Sequence, residues 1–274
     1  MTNVISRIFG FFAAVRFPAK VQAFINETYV KLFKIDMGEF KEVAYYESLG
    51  ALFTRDLVKK REFVKTQNTL ISPCDALITE LGTIQKGGLE ALQIKGFSYS
   101  INSLLGDFTM RKDKAKLKNG LFVNFYLSPS DYHHYHAPCD MRVLKSTHIP
   151  GALYPVNLKW LYKKAELFCE NERVVLECET ALKSRFWLVF VGALNVGKIR
   201  FLFDENIATN AKKYEQSYVS YKDLNLFQGE EMGFFEMGST IVFLGEKDAF
   251  RALVKNGEKV KFTQEIITEQ ENKS

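Results

Sequence analysis

From about residue 70 onward the chain is cut into short runs of β-branched and aromatic residues separated by glycine and proline, a pattern that predicts a β-rich body. The clearest runs are 121–128 (LFVNFYLS), 173–179 (RVVLECE), 186–194 (FWLVFVGAL), 198–203 (KIRFLF) and 240–244 (TIVFL), with 76–81 (ALITEL) ahead of them. Two short helices are expected among them, at 100–106 (SINSLLG), ended by Gly106 as a C-terminal cap, and at 157–167 (NLKWLYKKAEL). With 274 residues, 47% of them hydrophobic, the chain can bury a large core. The polar tail after Glu265 is expected to fray.

The N-terminal region has a different texture. One helix is expected within about 5–34 and a second from about 42 to 60, with a break at Met37-Gly38. Ile5, Ile8, Phe9, Phe12, Val15, Val21, Phe24, Ile25, Leu32 and Phe33 recur at spacings of three and four, which gathers large apolar side chains on one side of a helix. Arg7, Arg16, Lys20, Lys31 and Lys34 stand against Glu27 alone, so the first 34 residues hold four of the five net positive charges. Such a helix suits an anionic membrane surface or the protein's own core. The apolar run Ile8 to Val15 is shorter than the roughly 20 residues a bilayer span needs. Arg7 before that run has the look of a weak signal peptide, but Arg16 and the continuing amphipathic pattern argue for retention.

The expected fold class is α+β, mainly β: an antiparallel-rich β body with N-terminal amphipathic helices. Its expected division is a helical membrane-docking region over 1–60 and a catalytic β-rich domain over 61–274. Cys74, Cys139, Cys169 and Cys178 are too sparse for a disulfide framework and fit a reducing, cytoplasmic setting.

All four histidines lie between 133 and 148, and His133, His134 and His136 share one tetrapeptide bracketed by Pro129 and Pro138. The prolines oppose a long helix, so His133 and His136 are expected on a turn or loop after the strand ending near Ser128. Three uses compete for them: zinc held with Cys139 through H-x-x-H-x-x-C, hydrogen bonds to loop carbonyls, and acid and base work near neutral pH. Asp75, at the entry to a strand, is by position alone a turn former; beside a histidine it would fix a tautomer and stabilise an imidazolium.

Ser239 follows Gly238 and opens the apolar run Ile241-Val242-Phe243-Leu244. No G-x-S-x-G elbow surrounds it, which weakens an ordinary α/β-hydrolase reading. A serine behind an unhindered glycine can instead attack the backbone before it.

Several segments in order, over roughly residues 45–250, carry a family resemblance: Ala51-Leu52-Phe53-Thr54-Arg55, Ser72-Pro73-Cys74-Asp75, Ile94-Lys95-Gly96-Phe97-Ser98-Tyr99-Ser100, and Tyr126-Leu127-Ser128-Pro129-Ser130-Asp131-Tyr132-His133. To these are added His136-Ala137-Pro138-Cys139, Leu153-Tyr154-Pro155-Val156-Asn157, Asn171-Glu172-Arg173, and Gly229-Glu230-Glu231-Met232-Gly233 ahead of Gly238-Ser239-Thr240. The chain resembles bacterial phosphatidylserine decarboxylase, a pyruvoyl-dependent, membrane-associated enzyme. It departs from the family in having Met237 where Leu or Val is usual and Cys74 where a small residue is usual.

The resemblance implies a self-cleavage triad of Asp75, His136 and Ser239, with His133 as acid or base in decarboxylation. Cleavage between Gly238 and Ser239 would give chains 1–238 and 239–274, and Ser239 would become a pyruvoyl group. A Schiff base to that group would convert phosphatidylserine to phosphatidylethanolamine and carbon dioxide, with no metal. The resemblance further implies a homodimer of two-chain protomers, peripheral on the cytoplasmic face of the membrane. A zinc or serine hydrolase, a non-catalytic membrane-tethered β-domain, and a pyruvoyl enzyme for a soluble amino acid remain the competing expectations.

Overall fold

The computed structural model describes residues 10–66, 68–84, 91–94, 97–156, 160, 166–194, 198–207, 209, 215–236 and 239–270. Between residues 10 and 60 the chain is helical in separate pieces. Residues 10–14 are helical, the chain then opens, and Pro18 precedes helix α1 (Ala19–Phe33). The single helix expected over 5–34 is thus divided, because proline lacks the N–H that would continue an earlier turn but suits a helix start. Lys34 closes α1 in the left-handed conformation.

Helix α1 turns its polar face inward. Gln22 and Asn26 are buried and bonded to each other, and Asn26 donates to the Tyr46 carbonyl at 2.8 Å. Phe24 and Leu32, 70% and 71% exposed, point away from the body.

The helix expected over 42–60 is also shorter. A 3-10 turn at Val43–Tyr45 is followed by α2 (Leu49–Phe53), whose start is capped by the Ser48 hydroxyl accepting from Ala51 N–H at 3.0 Å. Beyond Thr54 the chain leaves the helix because Arg55 and Arg61 are spent on contacts with the body, which holds the backbone along that surface.

The body comprises β1 (Thr69–Ile71), β2 (Ala76–Thr83), the hairpin β3 (Ala91–Ile94) and β4 (Phe97–Ser100), helices α3 (Ile101–Leu105) and α4 (Arg111–Lys116), β5 (Leu121–Leu127), β6 (His134–His136) and β7 (Met141–Ile149). The short helix α5 (Leu167–Glu170) leads into β8 (Arg173–Thr180), β9 (Arg185–Val191), β10 (Ile199–Phe201), β11 (Ser217–Leu226) and β12 (Glu231–Phe235). The chain closes with β13 (Ser239–Gly245), β14 (Phe250–Ala252), β15 (Lys259–Val260) and β16 (Glu265–Glu269). Gly106 ends α3 at φ 73°, a conformation that favours glycine, as expected. The helix expected over 157–167 lies mostly outside the described residues.

Eight strands form one antiparallel sheet in the order β11-β7-β8-β9-β13-β5-β2-β15. Both faces of this sheet are covered, which is why its central strands are continuous apolar runs. Along β13, Ile241 and Phe243 enter one core with Phe125, Leu188 and Phe190, while Val242 and Leu244 enter a second with Trp187 and Val189. The fold is therefore mainly β and antiparallel with N-terminal helices, as the sequence predicts.

The smaller sheets order two segments that the sequence leaves as a frayed tail and a loop. The tail is ordered through Glu269, because Ile266 and Ile267 are buried and β16 pairs with both β1 and β14. His136 lies on a short strand, not a loop: β6 pairs with β12 in the three-stranded sheet β10-β12-β6, which satisfies backbone groups that a free loop would leave to water.

Candidate active site

The site is built where β5 ends. Leu127, its last residue, lies opposite Ser239, the first residue of the central strand β13. From Leu127 the chain enters a tight loop, in which the Asp131 carboxylate accepts from Ser128 N–H at 2.6 Å and from the Ser128 hydroxyl at 2.7 Å. The loop delivers His133 and then β6.

Ser239 is fully buried, and its hydroxyl has no hydrogen-bond partner among the described residues. The neighbouring hydroxyl is satisfied: Thr240 donates to the Phe125 carbonyl at 2.7 Å and approaches Asn124 Oδ1 at 2.9 Å. An orphaned buried hydroxyl costs about 1–3 kcal/mol, so its persistence calls for a function. Met237 and Gly238 lie outside the described residues.

His133 Nδ1 faces the Asp131 carbonyl at 2.8 Å, and a carbonyl only accepts, so Nδ1 carries the proton. Its Nε2 is buried without a partner among the described residues, and the ring packs on Phe53 at 4.0 Å between centroids. Burial, reinforced by the Arg55 cation, holds the imidazole well below its usual range. His133 is thus neutral, with an open lone pair at Nε2.

His136 has the same tautomer by a different route. Its Nδ1 donates to the Gly229 carbonyl at 3.1 Å, leaving Nε2 to face the Tyr132 hydroxyl at 3.3 Å. Gly229 adopts φ 82° and a Cβ there would meet the Phe63 ring at 2.6 Å, so glycine is required to aim that carbonyl. Burial is the main force lowering the His136 imidazole to about 4, opposed by the Gly229 bond and by the charges of Glu231 and Asp75.

Asp75 is close to His136 but not bonded to it among the described contacts. Its carboxylate takes both terminal nitrogens of Arg61, at 2.5 and 2.9 Å, and the Phe262 amide at 2.8 Å. Arg61 also grips Glu39, at 2.7 and 2.9 Å. Phe262 joins the two halves, since its ring stacks on His136 at 3.7 Å while its N–H holds Asp75. His136 N–H donates to the Pro73 carbonyl at 2.8 Å, fixing the histidine strand against the segment that carries Asp75.

His134 serves differently, with Nδ1 2.7 Å from Glu231 and Nε2 3.1 Å from the Thr54 carbonyl. Cys139 lines a separate cavity of about 580 Å³ with Lys65, Asp140, Thr180 and Glu269, and His133 and His136 are absent from its lining. Among the described residues, no three His, Cys, Asp or Glu side chains converge as metal ligands.

Sequence reasoning missed Arg55, Arg61, Asp131, Tyr132 and Phe262. Arg55, Asp131 and Tyr132 stood inside quoted motifs without an assigned role. Arg61 and Phe262 carried no local signal, because their significance arises only when segments 201 residues apart meet.

Two imidazoles with unprotonated Nε2 atoms and, at the head of β13 beside the loop that precedes them, a serine hydroxyl with no partner among the described residues are the groups this region offers for proton transfer. Comparison with known proteins gives the family. The phosphatidylserine decarboxylase family model matches residues 49–268. The chain is 49% identical over 264 residues to the phosphatidylserine decarboxylase proenzyme of Campylobacter jejuni subsp. jejuni, covering 95% of this chain and 97% of the relative. It is 46% identical to that of Helicobacter pylori strain Shi470, over 97% of each chain. With the mitochondrial proenzyme of Cricetulus griseus it shares 33% identity, over 95% of this chain and 70% of the relative. The chain belongs to the phosphatidylserine decarboxylase family, and is an enzyme of the lyase class.

Proposed function

We propose that the protein converts phosphatidylserine to phosphatidylethanolamine and carbon dioxide, using a pyruvoyl group that it makes from its own Ser239. The observation that carries this reading is the buried Ser239 hydroxyl, unpartnered among the described residues, at the head of the central strand beside the loop that supplies the histidines. His136 Nε2, an unprotonated base, takes the hydroxyl proton, and the Ser239 oxygen attacks the Gly238 carbonyl to turn the amide into an ester. Asp75 favours the resulting imidazolium through space, its carboxylate held in place by Arg61 and Phe262. Removal of the Ser239 α-proton expels the Gly238 carboxylate, and addition of water to the dehydroalanine releases ammonia and leaves the new terminus.

A pyruvoyl group there supplies a ketone that condenses with the substrate amine and accepts the electrons freed as carbon dioxide departs. His133 is suited to handle protons in that reaction. Because its Nε2 is unprotonated, it first takes a proton from the substrate ammonium and then returns it to the carbon that has lost carbon dioxide. His133→Ala should therefore still self-process but turn over on the order of 10²–10⁴ times more slowly. The check is a decarboxylation assay on phosphatidylserine vesicles normalised to the cleaved fraction, and full activity would remove His133 from the mechanism.

After cleavage, segment 239–274 is held by its own packing. It supplies β13 between β9 and β5 and β16 between β1 and β14, with Ile241 to Leu244 buried. The two chains should co-elute on size exclusion and part only in denaturant; separation in plain buffer would contradict this account.

The substrate lies in a bilayer, and no described helix is long and apolar enough to cross one. Residues 1–60 are proposed as the docking region of a peripheral enzyme on the cytoplasmic face, with 61–274 the catalytic domain. The inside-out helix α1 supports this: it buries Gln22 and Asn26 and leaves Phe24 and Leu32 bare beside Lys20 and Lys31. Phe24→Glu with Leu32→Glu should abolish sedimentation with anionic vesicles and lower activity on them, while sparing self-cleavage. Unchanged sedimentation would refute docking through this face. Pairing of two-chain protomers as a homodimer completes the proposed assembly.

A further inference from the structure

Arg55 is a fully buried cation that the mechanism above leaves unused. Its side chain is 1% exposed, lies over the Phe40 ring at 4.4 Å, and makes no ion pair among the described residues. Its Nε and Nη1 are buried without partners among the described residues. Its one engaged nitrogen, Nη2, donates to the Ser130 carbonyl at 2.7 Å and to the Asp131 carbonyl at 3.1 Å. Asp131 and Asp75 attract this guanidinium only through space, and burying it without a direct ion pair costs several kcal/mol, so a purely architectural role would be better filled by an apolar side chain.

The Asp131 carbonyl also receives His133 Nδ1–H, at 2.8 Å. Arg55 Nη2 and His133 Nδ1 therefore converge on one oxygen and lie within about 6 Å of each other. We propose that Arg55 is a positioning residue for turnover: it anchors the carbonyl that fixes the His133 tautomer, and its charge keeps His133 Nε2 free to accept the substrate proton. This rests on the role assigned to His133 above.

Two consequences of the geometry support it. An anchored carbonyl turns the Nδ1 proton into a fixed constraint, so the open lone pair falls at Nε2 alone. An unpaired cation at that range disfavours a second proton on the ring, in line with the lowered basicity of His133. The other charged or titratable groups around His133 are His134 on β6 and Asp131 in the loop, whose carboxylate is occupied by Ser128; Phe53 covers the ring from α2. Among these groups Arg55 alone is a permanent cation.

The test is NMR of ¹⁵N-histidine-labelled, self-processed enzyme, with a pH profile of kcat/KM. In the wild type, His133 should remain the Nδ1–H tautomer and stay neutral well below pH 6.5. In Arg55→Gln its titration, and the acid limb of kcat/KM with it, should move up by about one pH unit. At the optimum kcat should fall roughly 10- to 100-fold with little change in KM, since a proton-transfer group is worth 10²–10⁴. Arg55→Lys should restore the acid limb by restoring the charge.

Arg55→Met repeats the test should the glutamine variant fail to fold. A His133 titration and acid limb unmoved in Arg55→Gln or Arg55→Met would overturn the proposal, whatever happens to kcat. Normal turnover by His133→Ala would instead defeat the role of His133, leaving the NMR titration as an independent result, so the two failures are distinguishable.

Discussion

Ser239→Ala is expected to remain one chain of 274 residues with no decarboxylase activity. The hydroxyl is both the nucleophile of cleavage and the source of the atoms that become the electron sink, so no partial function should survive. The loss should be on the order of 10⁶-fold or more, where enzymatic rate enhancements begin. Folding should not suffer. Alanine removes a buried hydroxyl that has no partner among the described residues, so the variant should be as stable as the uncut parent or more so by about 1 kcal/mol. Equal or raised denaturation midpoints with a single band on a denaturing gel would check both halves. A cleaved and active Ser239→Ala protein is incompatible with the account.

His136→Ala should stall the same cleavage, slowing it on the order of 10²–10⁴-fold, as expected for loss of a general base. The pH dependence separates this base from an ordinary histidine. With its imidazole lowered to about 4 by burial, His136 should keep cleavage going well below pH 6.5 and fail only as pH approaches about 4. The same shift has a stability consequence. Below pH 6.5 the unfolded chain takes a proton that folded His136 declines, so its contribution, complete above pH 6.5, is lost as pH falls to about 4.

Asp75→Ala should also slow cleavage, but it strips a buried partner from Arg61 as well and should cost a few kcal/mol. Processing of that variant is therefore best followed in cold, dilute buffer where the fold persists. Undiminished cleavage in His136→Ala would move the base elsewhere in the site.

The strands were legible because the sheet is buried on both faces, which writes continuous apolar runs such as 186–194 and 240–244 into the chain. Gly106 was legible because only a positive φ explains a glycine at that place. The N-terminal helices were overextended for a physical reason. Their spacing of apolar residues is real, but it describes the outward face, while the packing that decides their length runs through Gln22, Asn26, Ser48 and Arg55. The tail looked polar and frayed because Glu265, Thr268 and Glu269 flank Ile266 and Ile267, yet Glu269 is itself buried, accepting from the Thr180 hydroxyl.

Of the proposed site, Asp75, His133, His136 and Ser239 could be singled out by residue type and motif. Their partners could not. That Asp75 would face Arg61 and Phe262, with His136 bonded to Gly229, depends on the docking of segments from both ends of the chain. The orphaned states of Ser239 Oγ and His133 Nε2 are likewise properties of burial in three dimensions.

Intact mass and terminal sequencing of purified, active enzyme test the central claim most directly. The account predicts two chains, 1–238 and 239–274, the smaller one blocked to Edman degradation by a keto acyl terminus. A single active chain of 274 residues, with the side chain at position 239 unaltered, would contradict it.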